Sequence, residues 1–434
     1  MSLILLASLF PLFSLVSAVV VPSTSLAHSH DSYATTTTPG SWYHQSSHPV
    51  HTLFRRAPDD GIEYPPVGSP AWSSGFPRDA PDPAQLPRQW VDALNAAVSA
   101  GKIPSIPISQ NTPGTNPTYP GGANPNSPGI CSATYKCRHV DDIWDAPNGV
   151  FASSFDDGPQ PACLITPKLV DFLRTNNVTT THFMIGKNLL FYPSQFQMAF
   201  SAGHDIAVHT WTHPYMTTLS NEQILGELGW TMLLIHNSTG GRVPRYWRPP
   251  YGDSDNRVRA IAKEVFGLTT VIWNQDTRDW SLTTNGTTPQ IVQSSMHEWI
   301  SGPKSPGLII LEHEVSDQSV SAFIEAYPSI RSNGWNFASL AQVVDGKVYQ
   351  NADNSTSAVT MVGIMPGSIS SASGSSTSTL TTASSSSSSG NTMSAESTNS
   401  VKAFNAATSL QGRMSSAKSF FLMALSFLAV NSAV

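Results

Sequence analysis

The chain has 434 residues, of which only 12% are charged, with a formal net charge of −6 and no long Lys/Arg tract. That balance gives no electrostatic footprint for a phosphate backbone, so nucleic acid is excluded as an expected partner. Both flanks are poor in core-forming residues, which confines the folded part to one domain of roughly 200–230 residues.

In chain order, residues 3–21 form an apolar run that passes through Val16-Ser17-Ala18. This is a small-residue cleavage pattern, so residues 1–18 read as a secretory signal peptide. Residues 19–56 carry His28, His30, His44, His48 and His51 at irregular spacing and end in Arg55-Arg56. They are expected to be a propeptide removed at the dibasic pair, with solvated histidines. Residues 57–147 form a Pro-rich extension expected to wrap the core. One short amphipathic helix is predicted in it over 89–99, aligning Trp90, Leu94 and Ala97.

Between residues 148 and 345 short apolar runs alternate with amphipathic runs of helical length. Strands are predicted at 150–155, 180–185, 205–208, 245–247, 269–273 and 308–311, and helices at 166–175, 194–201, 221–237, 254–265, 290–300 and 319–332. Such alternation implies parallel strands with crossover helices. The expected fold is α/β, a distorted (β/α) barrel flanked by disordered N- and C-terminal segments.

Residues 346–405 form a Ser/Thr-rich stalk, and 406–434 read as a discarded attachment signal. Asn405-Ala406-Ala407, a polar spacer and an apolar tail over 419–434 fit a GPI anchor at Asn405. The expected destination is therefore the plasma membrane surface or cell wall. Secretion makes a disulfide reasonable: Cys131 and Cys137 enclose a short loop and are the expected pair, leaving Cys163. Glycosylation sequons begin at Asn177, Asn237, Asn285 and Asn354.

The chemistry gathers after the strands. Asp156-Asp157, His209, Arg248 to Tyr251, Asp276 to Trp280 and His313 each follow a predicted strand, and the C-terminal strand ends of such a barrel converge on one face. His209 and His213 stand at i and i+4. With Asp157 they make two imidazoles and one carboxylate, a catalytic zinc set that leaves a position open for water, with cobalt or another divalent cation as alternatives. Asp156 is then the general base beside that water. In the run ending at His313, the period of two puts Ile309, Leu311 and His313 on one face, which makes His313 the acid. Asp279 is the candidate that keeps it protonated, and Arg248 the candidate that orients Asp156.

The ordered set Ser154-Phe155-Asp156-Asp157-Gly158-Pro159, His209-Thr210-Trp211-Thr212-His213, Arg248-Pro249-Pro250-Tyr251-Gly252, Asp276-Thr277-Arg278-Asp279-Trp280 and Leu311-Glu312-His313 resembles the five motifs of the polysaccharide deacetylases. These are the NodB-homology domains of carbohydrate esterase family four. With the secretion and anchor signals, the chain is most similar to the fungal chitin deacetylases of that family. The resemblance implies the roles just given and adds others. The backbone amide of Tyr251 would help hold an oxyanion, and Trp280 and Leu311 would line the pocket for the acetyl methyl. Ser154 stands where Thr is commoner, and Glu314 where many members have Asp.

The expected activity is metal-dependent removal of N-acetyl groups from the N-acetylglucosamine units of chitin, by a monomer, with Trp211 and Tyr215 as sugar platforms. The alternatives are an esterase acting on O-acetyl xylan and an inactive GPI-anchored wall-binding protein.

Overall fold

The computed structural model describes residues 42–54, 64–160 and 164–360. The chain divides into a unit Met1–Gly367 and a second, Ser368–Val434, which lies outside the described residues. The signal segment, Arg55-Arg56, Cys163, most of the stalk and Asn405 also lie outside them.

The fold is organised around β1 (Val150–Asp157), whose alternating side chains serve two cores. Ala152 points into an inner cluster with Phe183, Ala207, Tyr246, Val271 and Leu311, while Phe151 and Phe155 pack outward against Leu169, Leu173 and Phe323. Parallel to β1 run β2 (Thr181–Met184), β3 (Asp205–Val208), β4 (Tyr246–Trp247) and β5 (Thr269–Thr270), in that order. The register aligns Asp157 with Met184, Met184 with Val208, and Val208 with Trp247. His209 and Arg248, the next residues along their strands, therefore leave the sheet at one level.

The wall closes through β6 (Gln275–Asp276) and β7 (Ile310–Leu311), which pair in parallel. The chain around β7 returns to β1 through bridges at Phe151 with Leu308 and Asp156 with His313. The strand expected over 269–273 is thus cut to Thr269–Thr270, and the next strand, Gln275–Asp276, has different neighbours. Asn274 makes the transfer: its side-chain oxygen accepts from Ile309 N–H (3.0 Å) and its amide donates to the Gly307 carbonyl (2.7 Å). The gap below is filled from the extension, with Ile143 bridging Val271 and Ala146 bridging Gly307. This is a distorted barrel. A further strand, β8 (Asn336–Ser339), pairs with the first half of β1; its short sequence lacks the alternation that would have predicted it.

The six core helices form at Ile165–Thr175, Pro193–Ser201, Asn221–Ser238, Asn256–Phe266, Pro289–Ser301 and Asp317–Ser332, each end within two residues of its predicted position. Ser220 and Gln223 make a capping box at the start of the third, and Asp255 accepts from the Arg257 and Val258 N–H groups at the start of the fourth. The extension helix is Arg88–Ser99, with Trp90, Leu94 and Ala97 buried as expected. Trp72, Phe76 and Leu86 join the same core cluster.

The expectation of solvated histidines fails for His44, His48 and His51. Val50, Leu53 and Phe54 are buried in the core, and this anchors the neighbouring imidazoles. His44 donates to the Gly267 carbonyl (2.9 Å), His48 to the Lys263 carbonyl (3.0 Å) and His51 to the His44 carbonyl (2.8 Å). Irregular spacing misled because His44 and His48 cap a helix end, with His51 bracing His44, rather than line an amphipathic face. His28 and His30 lie outside the described residues. Among the described residues, no helix is long and apolar enough to cross a membrane.

Candidate active site

Asp157, His209 and His213 converge at the barrel mouth. Each offers one ligand atom, and these lie within 4.8 Å of one another. The Nε2 atoms of His209 and His213 each stand 3.2 Å from Asp157 Oδ1. His209 donates its Nδ1–H to the Arg248 carbonyl (2.7 Å), which in the neutral ring leaves Nε2 as a bare lone pair. That lone pair faces a buried carboxylate oxygen that accepts no hydrogen bond. Two acceptors in contact are satisfied by a cation between them, so the donor set fits a divalent ion. The two histidines share a side through an irregular loop, not the helical turn that i and i+4 spacing allows; Thr210 and His213 both have positive φ, 63° and 64°.

Asp156 points inward one residue earlier. Arg248, fully buried, donates from Nη1 to Asp156 Oδ1 at 2.5 Å, and its guanidinium lies 4.2 Å from the Phe183 ring centre. The other oxygen, Oδ2, is 3.9 Å from His209 Nε2. On the neighbouring strand, Asp156 N–H donates to the Glu312 carbonyl (2.9 Å) and Glu314 N–H to the Asp156 carbonyl (3.2 Å). His313 is therefore held directly beside Asp156.

Asp279 fixes the orientation of His313 twice. Its Oδ2 accepts the His313 backbone N–H (2.8 Å) and its Oδ1 accepts Nδ1–H (2.6 Å), leaving Nε2 as the ring's second nitrogen. Burial by itself would lower the imidazole pKa. The Asp279 charge and hydrogen bond, with Asp157 and Asp156 adding to them, outweigh it and push the ring up to about 10. Asp156 and His313 thus stand side by side next to the three-ligand cluster.

The family model for polysaccharide deacetylase matches residues 145–271. Over 344 residues the chain is 39% identical to chitin deacetylase 3 of Cryptococcus neoformans var. neoformans serotype D, covering 77% of this chain and 80% of that protein. The chain belongs to the polysaccharide deacetylase family. It is likewise 38% identical to chitin deacetylase 1 of Saccharomyces cerevisiae over 218 residues, half of this chain and 68% of that one. Among solved structures, the chitin deacetylase of Colletotrichum lindemuthianum aligns at 24% identity and a TM-score of 0.44, over 49% of this chain and 96% of that one.

Several groups that brace the site of this deacetylase were not legible as motifs. Buried Glu227 accepts from the Trp211 and Thr212 N–H groups (2.7 Å each) and from the Thr212 hydroxyl (2.6 Å), so one carboxylate cradles the loop between the two histidines. Its signal was a lone acid among Ile224, Leu225 and Leu228 on a buried helix face. Glu314, fully buried, stands 3.2 Å from His182, whose other nitrogen meets His204 at 2.8 Å.

Trp211 is not a sugar platform. It is fully buried, stacked 6.1 Å from Phe76, because Gly186 leaves room for its ring inside the fold. Tyr215 does reach the rim of the deacetylase site, stacked 4.0 Å from Tyr251 with 12° between the rings. Tyr251 is 50% exposed and Trp280 48%, while Leu311 is buried in the inner cluster with Trp273. Tyr251 is left-handed (φ 59°, ψ 10°), as is Asp157 (φ 75°). Such strain at a non-glycine residue costs about 1–3 kcal/mol, held here by the surrounding loops.

Cys131 and Cys137 are disulfide-bonded. Asn177 and Asn285 are exposed. Asn237 and Asn354 are half-buried with their side-chain oxygens engaged, the former by His236 and the latter by Thr356 and Ser357.

Proposed function

We propose that this enzyme hydrolyses the N-acetyl groups of N-acetylglucosamine units in chitin, releasing acetate and leaving free amines. The reading is carried by one arrangement: two proton-handling groups, Asp156 and His313, on adjacent strands beside the Asp157–His209–His213 cluster. The substrate follows from similarity to proteins named chitin deacetylase across 80% of one relative's length.

Asp157, His209 and His213 would hold the cation, and their two imidazoles and one carboxylate favour zinc. When bound, such an ion polarises the acetyl carbonyl and makes water acidic enough to lose a proton near neutral pH. Asp156 takes that proton, aimed by its ion pair with Arg248. As the water oxygen bonds to the carbonyl carbon, the Tyr251 N–H receives the growing negative charge on the carbonyl oxygen. His313 gives its Nε2 proton to the amide nitrogen, and the C–N bond breaks. Trp280 and Leu311 line the space for the acetyl methyl. Chitin is uncharged, so the chain's acidity does not oppose its binding.

The test is acetate release from defined N-acetylglucosamine oligomers and from acetylxylan, after chelation and after adding back zinc or cobalt. Release from the oligomers that needs the cation supports the assignment. Release from acetylxylan alone replaces it with an esterase, and no release from either leaves a binding protein. We also propose that the chain is secreted, glycosylated at Asn177 and Asn285, and held at the cell surface by a GPI anchor at Asn405. Failure of a phosphatidylinositol-specific phospholipase to release it from cell membranes would count against the anchor.

A further inference from the structure

Behind the site, on the outward side of the sheet, three titratable side chains are buried that the proposed chemistry does not use. His182 stands on β2, level with Phe155 of β1 and Ile206 of β3. Phe183 points into the inner cluster, so alternation turns His182 outward, where its ring centre lies 6.4 Å from that of Phe155. Its Nδ1 is 3.2 Å from Glu314 Oε1. Its Nε2 meets His204 Nδ1 at 2.8 Å, with the two rings stacked 5.1 Å apart. None of Glu314, His182 and His204 is more than 1% exposed.

The side of a parallel sheet that helices cover is ordinarily apolar, and a buried carboxylate is costly unless a partner replaces its water. Neither Glu314 oxygen accepts a hydrogen bond, so contact with the His182 ring is what compensates it. His182 is backed in turn by His204, whose backbone is tied on both sides. The His204 N–H donates to the Ala199 carbonyl (3.2 Å), and its carbonyl accepts from the Ser355 hydroxyl (2.7 Å). Burial, with His182 beside it, pushes the His204 ring down to about 3, so His204 is the uncharged end of the row.

The other end of the row is the residue after His313. Asp279 orients the His313 ring, but the seating of its segment against β1 depends on two backbone hydrogen bonds. Asp156 N–H to the Glu312 carbonyl is 2.9 Å, and Glu314 N–H to the Asp156 carbonyl is the longer, at 3.2 Å. A Glu314 side chain held toward β2 keeps that second bond closed. We infer that His182 and His204 are positioning residues for proton transfer: acting through Glu314, they hold residues 312–314 against β1 and so set the separation of His313 from Asp156. The inference rests on the proposed role of His313 as the acid.

The experiment uses the zinc-loaded full chain and its variants His182→Phe, His182→Gln, Glu314→Gln and the double variant His182→Gln with Glu314→Gln. It reads kcat and KM for acetate release from the N-acetylglucosamine tetramer, together with zinc affinity and thermal melting. His182→Phe lowers kcat about 10- to 100-fold, the scale of a misplacement of about 1 Å, while KM and zinc affinity stay within about twofold. His182→Gln keeps a side-chain N–H for the carboxylate and recovers part of the loss. Because His182 acts through Glu314, the double variant loses no more than the worse of its two single variants. A purely structural role lowers the melting temperature and leaves kcat of the folded chain unchanged, and that result overturns the inference. So do losses that multiply in the double variant, a loss of zinc affinity that parallels the loss of kcat, or failure of both single Gln variants to fold. If the unaltered chain releases no acetate from the tetramer or any other oligomer, the reading of the site itself fails and takes the inference with it.

Discussion

The carboxylate of Glu314 occupies the space where a side chain on Gly158 would begin: a Cβ built there lies 1.4 Å from Oε1 and 2.2 Å from Cδ. Gly158 follows Asp156-Asp157, and Glu314 follows His313, so this contact locks the two chain segments together behind the candidate site. Fully buried Glu314 also presses on His182 at 3.2 Å, so it cannot retreat cheaply.

Gly158→Ala is expected to cost about 1–3 kcal/mol of stability, as overpacking does, and to weaken cation binding by displacing Asp157. Thermal melting and zinc titration check both. A variant that melts and binds as the parent does would show that the contact is not a lock.

Removing Arg248 leaves the Asp156 carboxylate buried without its partner. Breaking such a pair from one side costs about 3–5 kcal/mol, so Arg248→Met is expected to destabilise the fold strongly, and Arg248→Lys to fold better while losing most of kcat. Equal kcat in Arg248→Lys and the parent would remove Arg248 from the positioning of the base.

The proton on His313 gives a pH test. Its folded pKa is about 10, above the ordinary histidine value of about 6.5, so its contribution to stability is full below pH ~6.5 and is lost as pH rises through about 10. In the proposed role of acid it must be protonated, so it is expected to set the alkaline limb of the kcat/KM profile. In Asp279→Asn that limb is expected to move to lower pH by about 1 to 3 units. A cation on Asp157 removes that carboxylate's share in both enzymes and leaves the direction unchanged. An alkaline limb that does not move assigns the proton to another group.

Cation binding is expected to stabilise the folded chain by about 2.7 kcal/mol at a hundredfold excess over Kd. His209→Ala and Asp157→Asn are expected to lose that gain while keeping the barrel, because neither side chain belongs to the apolar clusters. Melting curves with and without zinc read this directly. An undiminished shift in both variants would put the ion elsewhere.

The chain itself determined the barrel's repeating order and which polar side chains would meet at its mouth. Alternation in β1 and the six amphipathic helices are local periodicities, and each chemical residue falls at a strand end, where parallel topology delivers it to one face. The same locality explains the misses. β8 is four residues with no alternation, and the segment 269–276 changes partners midway, which depends on Asn274 and on Ile143 more than a hundred positions earlier.

Only the folded structure decided which way the aromatics face, that Trp211 is core while Tyr215 is rim, and that histidines 44 and 48 cap a helix end. It also decided that Glu227 and Glu314 brace the site. The reason is common to all of these. A residue's type is written locally, but its burial and partners depend on chain that is distant in sequence, and here much of that chain is the Pro-rich extension, whose own composition carries little periodic signal.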